Sequence, residues 1–565
     1  MAADDSKKKA AVAGLASILL VAAVIAVSVG SSKNGGDISS SGGDADDGSG
    51  GITTSTKAVE AICSPTSYKD TCEKSLADAN TTDTKQLVEI AINVTVAKIA
   101  AAMKNSTLLQ EAANDPSTKE AFKVCEDVLE RAAADLRRSA GKVGAFDFTK
   151  ADEIVADLRT WLSAVVTNQE TCVDAFGNTT GDTGERMKKL LRTAREMSSN
   201  GLAMVTDIST IIGALQLGSL GSSRRLLSEA EEDDGFISRR LLQANTLSLT
   251  PNIVVAQDGS GDFKTVNEAV AMVKIGRETF TVIRVKAGVY NEYVSIPKGK
   301  NKVVMIGDGP EVTKITGNRS MAGGVPTFYT ATVDVNSEDF IAQDMGFENT
   351  AGVEGHEAIA LRVSGDKAIL FNVRVDGNQD SLYADVYRQY YRNCTITGTV
   401  NFVIGNAVAL FQDCTFIARK PSPGQDCVVT AHGRNDSNSN TAFVIQNGHI
   451  TADPALLDAQ PPVRSYLGRP WKEYSRTIIM HANIDGFVDP TGWSPWMGNI
   501  GLNTSYYGEY ENTGPGSKLE NRVTWPGIHK ITTEIAQTWT GSVMYGGDAW
   551  ITESGVLYNP NLKEA

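Results

Sequence analysis

Three polar residues recur at one interval: Glu357, Gln379 and Asn401 lie 22 residues apart, and Asp380 directly follows the middle one. Two carboxyl groups brought close together hold their protons differently, so one can donate a proton while the other accepts one. Side-chain amides can donate hydrogen bonds to an oxygen that gains negative charge during a reaction. Further along, Arg469 and Trp471 supply a permanent positive charge and an aromatic face. Acidic groups edged by arginine and tryptophan suit a site for a charged sugar. The same interval also fits a ladder of polar side chains that satisfy one another. Either reading requires elements that return the chain to the same place about every 22 residues.

The second half of the chain has such a rhythm. From Leu247 onward the composition shifts to Val, Ile, Thr, Phe, Gly and Asn in short alternating runs, the signature of strands. Four segments align: Phe340–Phe347, Ala368–Val375, Gln389–Ile396 and Leu410–Phe416. Each carries Asp or Asn at the same place, at 344, 372, 393 and 413, at intervals of 28, 21 and 20 residues. One short strand per drifting period of this length predicts a parallel β-helix over 246–565, with coils stacked at strand spacing. Cys394 and Cys414 hold equivalent places in successive copies, so stacking predicts a disulfide between them. Cys427 is then the odd thiol, and with no histidine near it in a recognised arrangement it reads as a buried structural cysteine.

The first half is different. Residues 56–217 are rich in Ala, Leu, Lys and Glu, with apolar residues at three- and four-residue spacing, which predicts an antiparallel four-helix bundle. Cys63 and Cys72 are close enough to staple a helical hairpin and Cys125 and Cys172 could tie two helices, although four cysteines allow three pairings. Ahead of the bundle, three lysines at 7–9 precede an uncharged run, 10–30, long enough to span a bilayer. We expect a signal anchor over 1–30 and a Gly/Ser/Asp linker over 31–55. Asn-x-Ser/Thr sequons at Asn80, Asn93, Asn105, Asn178, Asn318, Asn393, Asn435 and Asn503 fit the secretory pathway. Between the halves, 218–245 carries Arg-Arg-Leu-Leu twice, with Arg224, Arg225, Arg239 and Arg240 flanking an acidic run, a segment built for proteolytic processing near Gln243. A formal net charge of −14 excludes nucleic acid as a partner, because phosphate neutralisation needs surplus Lys and Arg.

Five ordered motifs carry a resemblance: Gly288-Val-Tyr-Asn-Glu292, His356-Glu-Ala-Ile-Ala-Leu-Arg362, Gly377-Asn-Gln-Asp-Ser-Leu-Tyr383, Gly398-Thr-Val-Asn-Phe-Val-Ile-Gly405 and Leu467-Gly-Arg-Pro-Trp-Lys472. Along its whole length the β half resembles the plant pectin methylesterases. The helical half, notably Thr160–Cys172, looks like their inhibitor-related pro-region, and the double Arg-Arg-Leu-Leu looks like their processing site for a subtilisin-type protease. The resemblance implies a right-handed parallel β-helix that hydrolyses the methyl esters of polygalacturonate in the cell wall to methanol and carboxylate. It implies no metal and no other cofactor. Pectin (homogalacturonan) and proteinaceous pectinesterase inhibitors are the implied partners, with membrane contact only through the anchor before processing.

Carried over position by position, the resemblance makes Asp380 the proton donor and then base, Gln379 a stabiliser of the transition state, and Arg469 the arginine that orients the nucleophile. Trp471 becomes the aromatic wall, and Thr327, Phe328, Tyr383, Tyr466 and Trp496 line the substrate subsites. Two positions depart. The nucleophile position is Asn401, and the second oxyanion position, also in contact with substrate, is Glu357. Ile404 stands where the family usually has Phe. An amide is a poor nucleophile, so the covalent route loses several orders of magnitude in rate. Glu357 and Asp380 could instead activate water as an acid and base pair. The expectations are thus a working esterase of reduced rate, a catalytically weak pectin-binding relative, or a regulator whose bundle inhibits other esterases. From Gln243 onward the chain has 26 Lys plus Arg against 33 Asp plus Glu, a net of −7, which predicts weak electrostatic adhesion to polygalacturonate.

Overall fold

A computed structural model describes residues 55–145, 150–177, 179, 181–219 and 249–562, and these divide into two compact units on either side of 220–248. The expected anchor, the linker up to residue 54 and the processing arginines lie outside the described residues.

The first unit is helical. Among the described residues its long helices are α1 (Thr84–Met103), α2 (Pro116–Gly144), α3 (Ala151–Asp174) and α4 (Thr183–Ser219), with the shorter Ser55–Cys63 and Lys69–Ser75 ahead of α1 and Ser106–Asn114 between α1 and α2. Helix α2 starts where it does for two reasons. Asp115 caps it, accepting from the Thr118 N–H at 2.8 Å, and Pro116 occupies a position whose N–H would have no partner. Its buried stripe includes Phe122, Val128, Leu129 and Leu136. Disulfides join Cys63 to Cys72 and Cys125 on α2 to Cys172 on α3.

The second unit is a parallel β-helix with three sheets of eleven, eight and seven strands, in which every ladder between strands is parallel. The turn that leads from the eleven-stranded to the eight-stranded sheet explains the repeated Asp and Asn. Asp344, Asn372, Asn393 and Asp413 each follow the last residue of a strand and all have φ between 50° and 55°. Left-handed backbone is costly for most L-residues and least so for Asn and Asp after Gly. The ladder continues at Asn447, His481 and Glu511, with φ 56°, 52° and 47°. The next residue of each turn, Met345, Val373, Cys394, Cys414 or Ala482, points into the core.

The expected disulfide between Cys394 and Cys414 is therefore absent, and both are free, buried thiols. Thr395 and Thr415 are in register, so the cysteines do stack. A turn copied from coil to coil, however, aims successive Cβ atoms in the same direction, whereas a disulfide needs them to converge to about 3.8 Å. Each thiol instead faces a carbonyl of the preceding coil, Cys394 Sγ at 3.3 Å from Leu370 O and Cys414 Sγ at 3.5 Å from Tyr391 O. Cys427 is also a free core thiol. Its Sγ lies 3.0 Å from Thr399 O, and burial pushes its pKa far up, away from nucleophilic use.

The interior is apolar and rich in aromatic rings. Tyr391 stacks on Phe411 at 4.5 Å, and Phe411 meets Phe443 edge-on at 6.1 Å. Outside the eleven-stranded sheet, the C-terminal tail is tied down by side chains from three successive coils. Tyr390 donates its hydroxyl to Leu557 O (2.7 Å), Gln412 Nε2 donates to Asn559 O (2.7 Å) and Gln446 Nε2 donates to Asn561 O (3.0 Å).

Candidate active site

The candidate residues gather on the seven-stranded sheet, whose strands are β1 (Val294–Ile296), β2 (Val333–Val335), β3 (Leu361–Val363), β4 (Leu382–Ala384), β5 (Val403–Gly405), β6 (Cys427–His432) and β7 (Ser465–Gly468). Leu361, Leu382 and Val403 point into the core. Their neighbours Arg362, Tyr383, Ile404 and Ala431 stand level with one another on the opposite face.

Register also settles how the four central residues are arranged. Glu357 pairs with Gln379, as the 22-residue interval suggested. Leu382 pairs with Val403, however, so Asp380 and Asn401, two residues upstream in each strand, are level with each other. The backbone bonds agree: Asp380 N–H donates to Val400 O at 3.1 Å and Leu382 N–H to Phe402 O at 2.9 Å. The single expected stripe is thus two adjoining rows, Glu357 with Gln379 and Asp380 with Asn401. The offset arises just before β3, where both Ala360 and Leu361 donate to Ser381 O and one residue is taken up as a bulge. Asp380 (φ 61°) and Asn401 (φ 50°) share left-handed backbone, so the two side chains leave their strands in the same way.

Asp380 is 6% exposed and its Oδ1 has no hydrogen-bond partner. Burial, and after it the charge of Glu357, push its carboxyl well above the usual carboxylate range, while Arg469 pulls it back. Glu357 also has a buried, unpartnered oxygen, Oε2. Asn401 is 4% exposed, and its Oδ1 accepts from Arg469 Nε at 2.8 Å. The guanidinium of Arg469 stacks over Trp496 at 4.4 Å, and burial works against its charge, with Asp380 compensating. A chain of groups therefore runs along the coils from Glu357 through Asp380 and Asn401 to Arg469.

The remaining candidates surround this chain. Trp471 meets Tyr383 edge-on at 6.4 Å and rests against Gly433, where an added Cβ would lie 2.8 Å from the indole ring. Gly433 was not foreseen, and nothing in one sequence marks a glycine as the seat of a distant tryptophan. Lys472, 5.7 Å from the Trp471 ring, is a second cation that sequence reasoning passed over, although it closes the Leu-Gly-Arg-Pro-Trp-Lys motif. Thr327 and Phe328 lie on a short 3-10 turn, and Phe328 packs on the Arg362 guanidinium at 3.5 Å. Tyr466 is buried on β7, level with Val428. Ile404, 6% exposed, stands between Tyr383 and Ala431. Among the described residues, no group of three or more His, Cys, Asp or Glu side chains is placed to hold a metal ion.

Residues 252–548 match the pectinesterase family model. The chain belongs to the pectinesterase family. Residues 57–204 of this pectinesterase-family chain also match the plant invertase/pectin methylesterase inhibitor model. Among its relatives, the probable pectinesterase/pectinesterase inhibitor 21 of Arabidopsis thaliana is 46% identical over 525 residues, covering 91% of this chain and 78% of the relative. The pectinesterase of Petunia integrifolia is 48% identical over 380 residues, 66% of this chain and 99% of the relative. Among solved structures, the pectin methylesterase from carrot is 45% identical, with a TM-score of 0.55, and the match covers 56% of this chain and all of the carrot chain.

Proposed function

We propose that the β-helix unit binds methyl-esterified polygalacturonate and hydrolyses its esters slowly, because an amide occupies the position of the attacking group. The observation that carries this reading is the bond from Arg469 Nε to Asn401 Oδ1. It turns the amide oxygen toward the arginine and leaves no anion level with Asp380. The family relation and the carrot pectin methylesterase support pectin as the substrate class. The proposed roles are Asp380 as proton donor and Gln379 as transition-state stabiliser, with Thr327, Phe328, Tyr383, Tyr466, Trp471 and Trp496 as contacts for sugar.

A second reading is favoured by one specific observation: Glu357 and Asp380 each keep a buried oxygen without a partner, and the charge of Glu357 acts on Asp380. Such a pair could hold a water molecule between an acid and a base and attack the ester without a covalent intermediate. Methanol release from esterified pectin tests both readings. A rate like that of an ordinary family member, abolished by Glu357→Gln alone, would favour the second reading over the first.

The same proposal gives the rest of the chain its parts: an anchor over 1–30, a linker over 31–55, an inhibitor-like bundle over 56–217, a processing segment over 218–245 and an esterase unit over 246–565. A subtilisin-type protease acting at Arg224–Arg225 and Arg239–Arg240 would release the esterase unit into the wall.

A further inference from the structure

Building on the pectin-directed reading, we propose that Arg469, left without a carboxylate partner by the amide at 401, receives the free carboxylate of a de-esterified galacturonate residue, so that this chain prefers de-esterified over methyl-esterified polygalacturonate. In an esterase whose nucleophile is an aspartate, an arginine in this position is neutralised by that aspartate. Here the only side-chain hydrogen bond of the guanidinium goes to a neutral oxygen, Asn401 Oδ1, and no carboxylate of the described residues lies within ion-pair distance of it. The flat face is occupied by Trp496, which leaves the edge bearing the two terminal nitrogens. Burial works against the guanidinium's charge, Asp380 and Asp426 support it only from beyond ion-pair distance, and a planar carboxylate can meet two of its N–H groups at once.

The neighbouring charges decide whether an anion is tolerated there. Asp426 acts on Arg469 from a distance, but its two oxygens are engaged by Arg464 at 3.2 Å each. Asp380 is held toward its protonated form and can then donate a hydrogen bond. Glu357 belongs to the coil before that of Asp380, two coil steps from Asn401, or about 10 Å at strand spacing. Coulomb energy falls inversely with distance, so its repulsion is less than half of the attraction from a guanidinium at about 4 Å. Lys472 beside Trp471 adds a second positive charge, in a half of the chain whose net charge is −7. An ester has no charge with which to answer these groups, whereas a free uronate does.

The test is calorimetric titration of the full chain with oligogalacturonides of one length, either fully de-esterified or methyl-esterified. A charge-assisted bidentate contact predicts roughly 10- to 100-fold tighter binding of the de-esterified form. Asn401→Asp gives Arg469 an internal counterion at constant volume and should abolish or reverse the preference. Arg469→Gln should abolish it while the esterified form still binds. A difference that survives added salt separates a partly buried pair from diffuse charge effects. Equal or tighter binding of the esterified form by the unaltered chain, or a preference unchanged in Asn401→Asp, would overturn the proposal while leaving pectin binding intact. If the unaltered chain binds neither oligosaccharide, the pectin-directed reading fails and takes this proposal with it.

Discussion

If the proposed reading holds, replacing Asn401 with Asp should raise the rate of ester hydrolysis, and the structure shows why the exchange is clean. Side-chain volume barely changes, and Asp tolerates the left-handed backbone of φ 50° nearly as well as Asn. The new carboxylate inherits the contact with Arg469, now 2.8 Å from Nε to Oδ1. With charge centres about 4 Å apart and an effective dielectric near 20, the attraction is about 4 kcal/mol, equivalent to a downward pull of roughly three pKa units. We expect that pull to exceed the cost of burying a side chain that is 4% exposed, so that the group is ionised and able to attack. Loss of a nucleophile typically costs on the order of 10⁴- to 10⁶-fold in rate, or about 5 to 8 kcal/mol of barrier. Glu357 limits the recovery, because a third carboxylate raises the pKa values of the cluster. We therefore expect Asn401→Asp combined with Glu357→Gln to exceed the parent by roughly 10³-fold or more and to exceed the single variant as well. The assay is the initial rate of methanol release from highly esterified pectin, with oligogalacturonide binding measured in parallel. A double variant that binds pectin but releases methanol no faster than the parent would refute the reasoning and direct attention to Ile404.

Asp380→Asn should raise the thermal midpoint of the β-helix unit at neutral pH. The folded carboxyl holds its proton more tightly than the unfolded one, so its contribution is complete below the unfolded pKa and lost as pH rises through the folded value. The advantage of the variant should accordingly shrink on acidification, as melting curves across that range would reveal. Non-reducing peptide mapping should find Cys394, Cys414 and Cys427 all alkylated and the pairs Cys63–Cys72 and Cys125–Cys172 intact; a mass for linked Cys394 and Cys414 peptides would contradict the fold described above. Phe411→Ala, in the middle of the aromatic stack, should cost about 3 to 5 kcal/mol in chemical denaturation of the β-helix unit, and a loss under 1 kcal/mol would mean that the core repacks. Alanine at Arg239 and Arg240, alone and with Arg224 and Arg225, should leave an uncut chain on immunoblots, whereas an uncut unaltered chain in the wall would rule out processing there.

What the sequence disclosed follows from what a period can and cannot encode. The repeated Asp and Asn at 344, 372, 393 and 413 were legible because one backbone conformation, left-handed and hostile to most side chains, recurs in seven successive coils, at 344, 372, 393, 413, 447, 481 and 511. The period located the cysteines side by side, but it says nothing of the direction in which a Cβ points, and so it suggested a bond that the structure does not form. It likewise paired Glu357 with Gln379 but misplaced Asn401, since a one-residue bulge near Ala360 has no compositional mark. The arginine seated on Trp496 joins residues 27 positions apart through a loop, a contact that no periodicity reaches.

The tail that crosses the outside of the eleven-stranded sheet has a bearing on cooperativity. A stack of coils touching only their neighbours behaves as a one-dimensional array that can fray from either end. Fraying from the C-terminal side would strip away β7 and Arg469 first and leave Glu357 and Asp380 standing on intact coils. Tyr390, Gln412 and Gln446 oppose this by holding residues 557–561 against three coils at once. At roughly 0.5 to 1.5 kcal/mol for each hydrogen bond, the tail couples the last coils to the middle of the array. Removing it should turn one unfolding transition into two, with the arginine lost in the first and the carboxyl pair in the second.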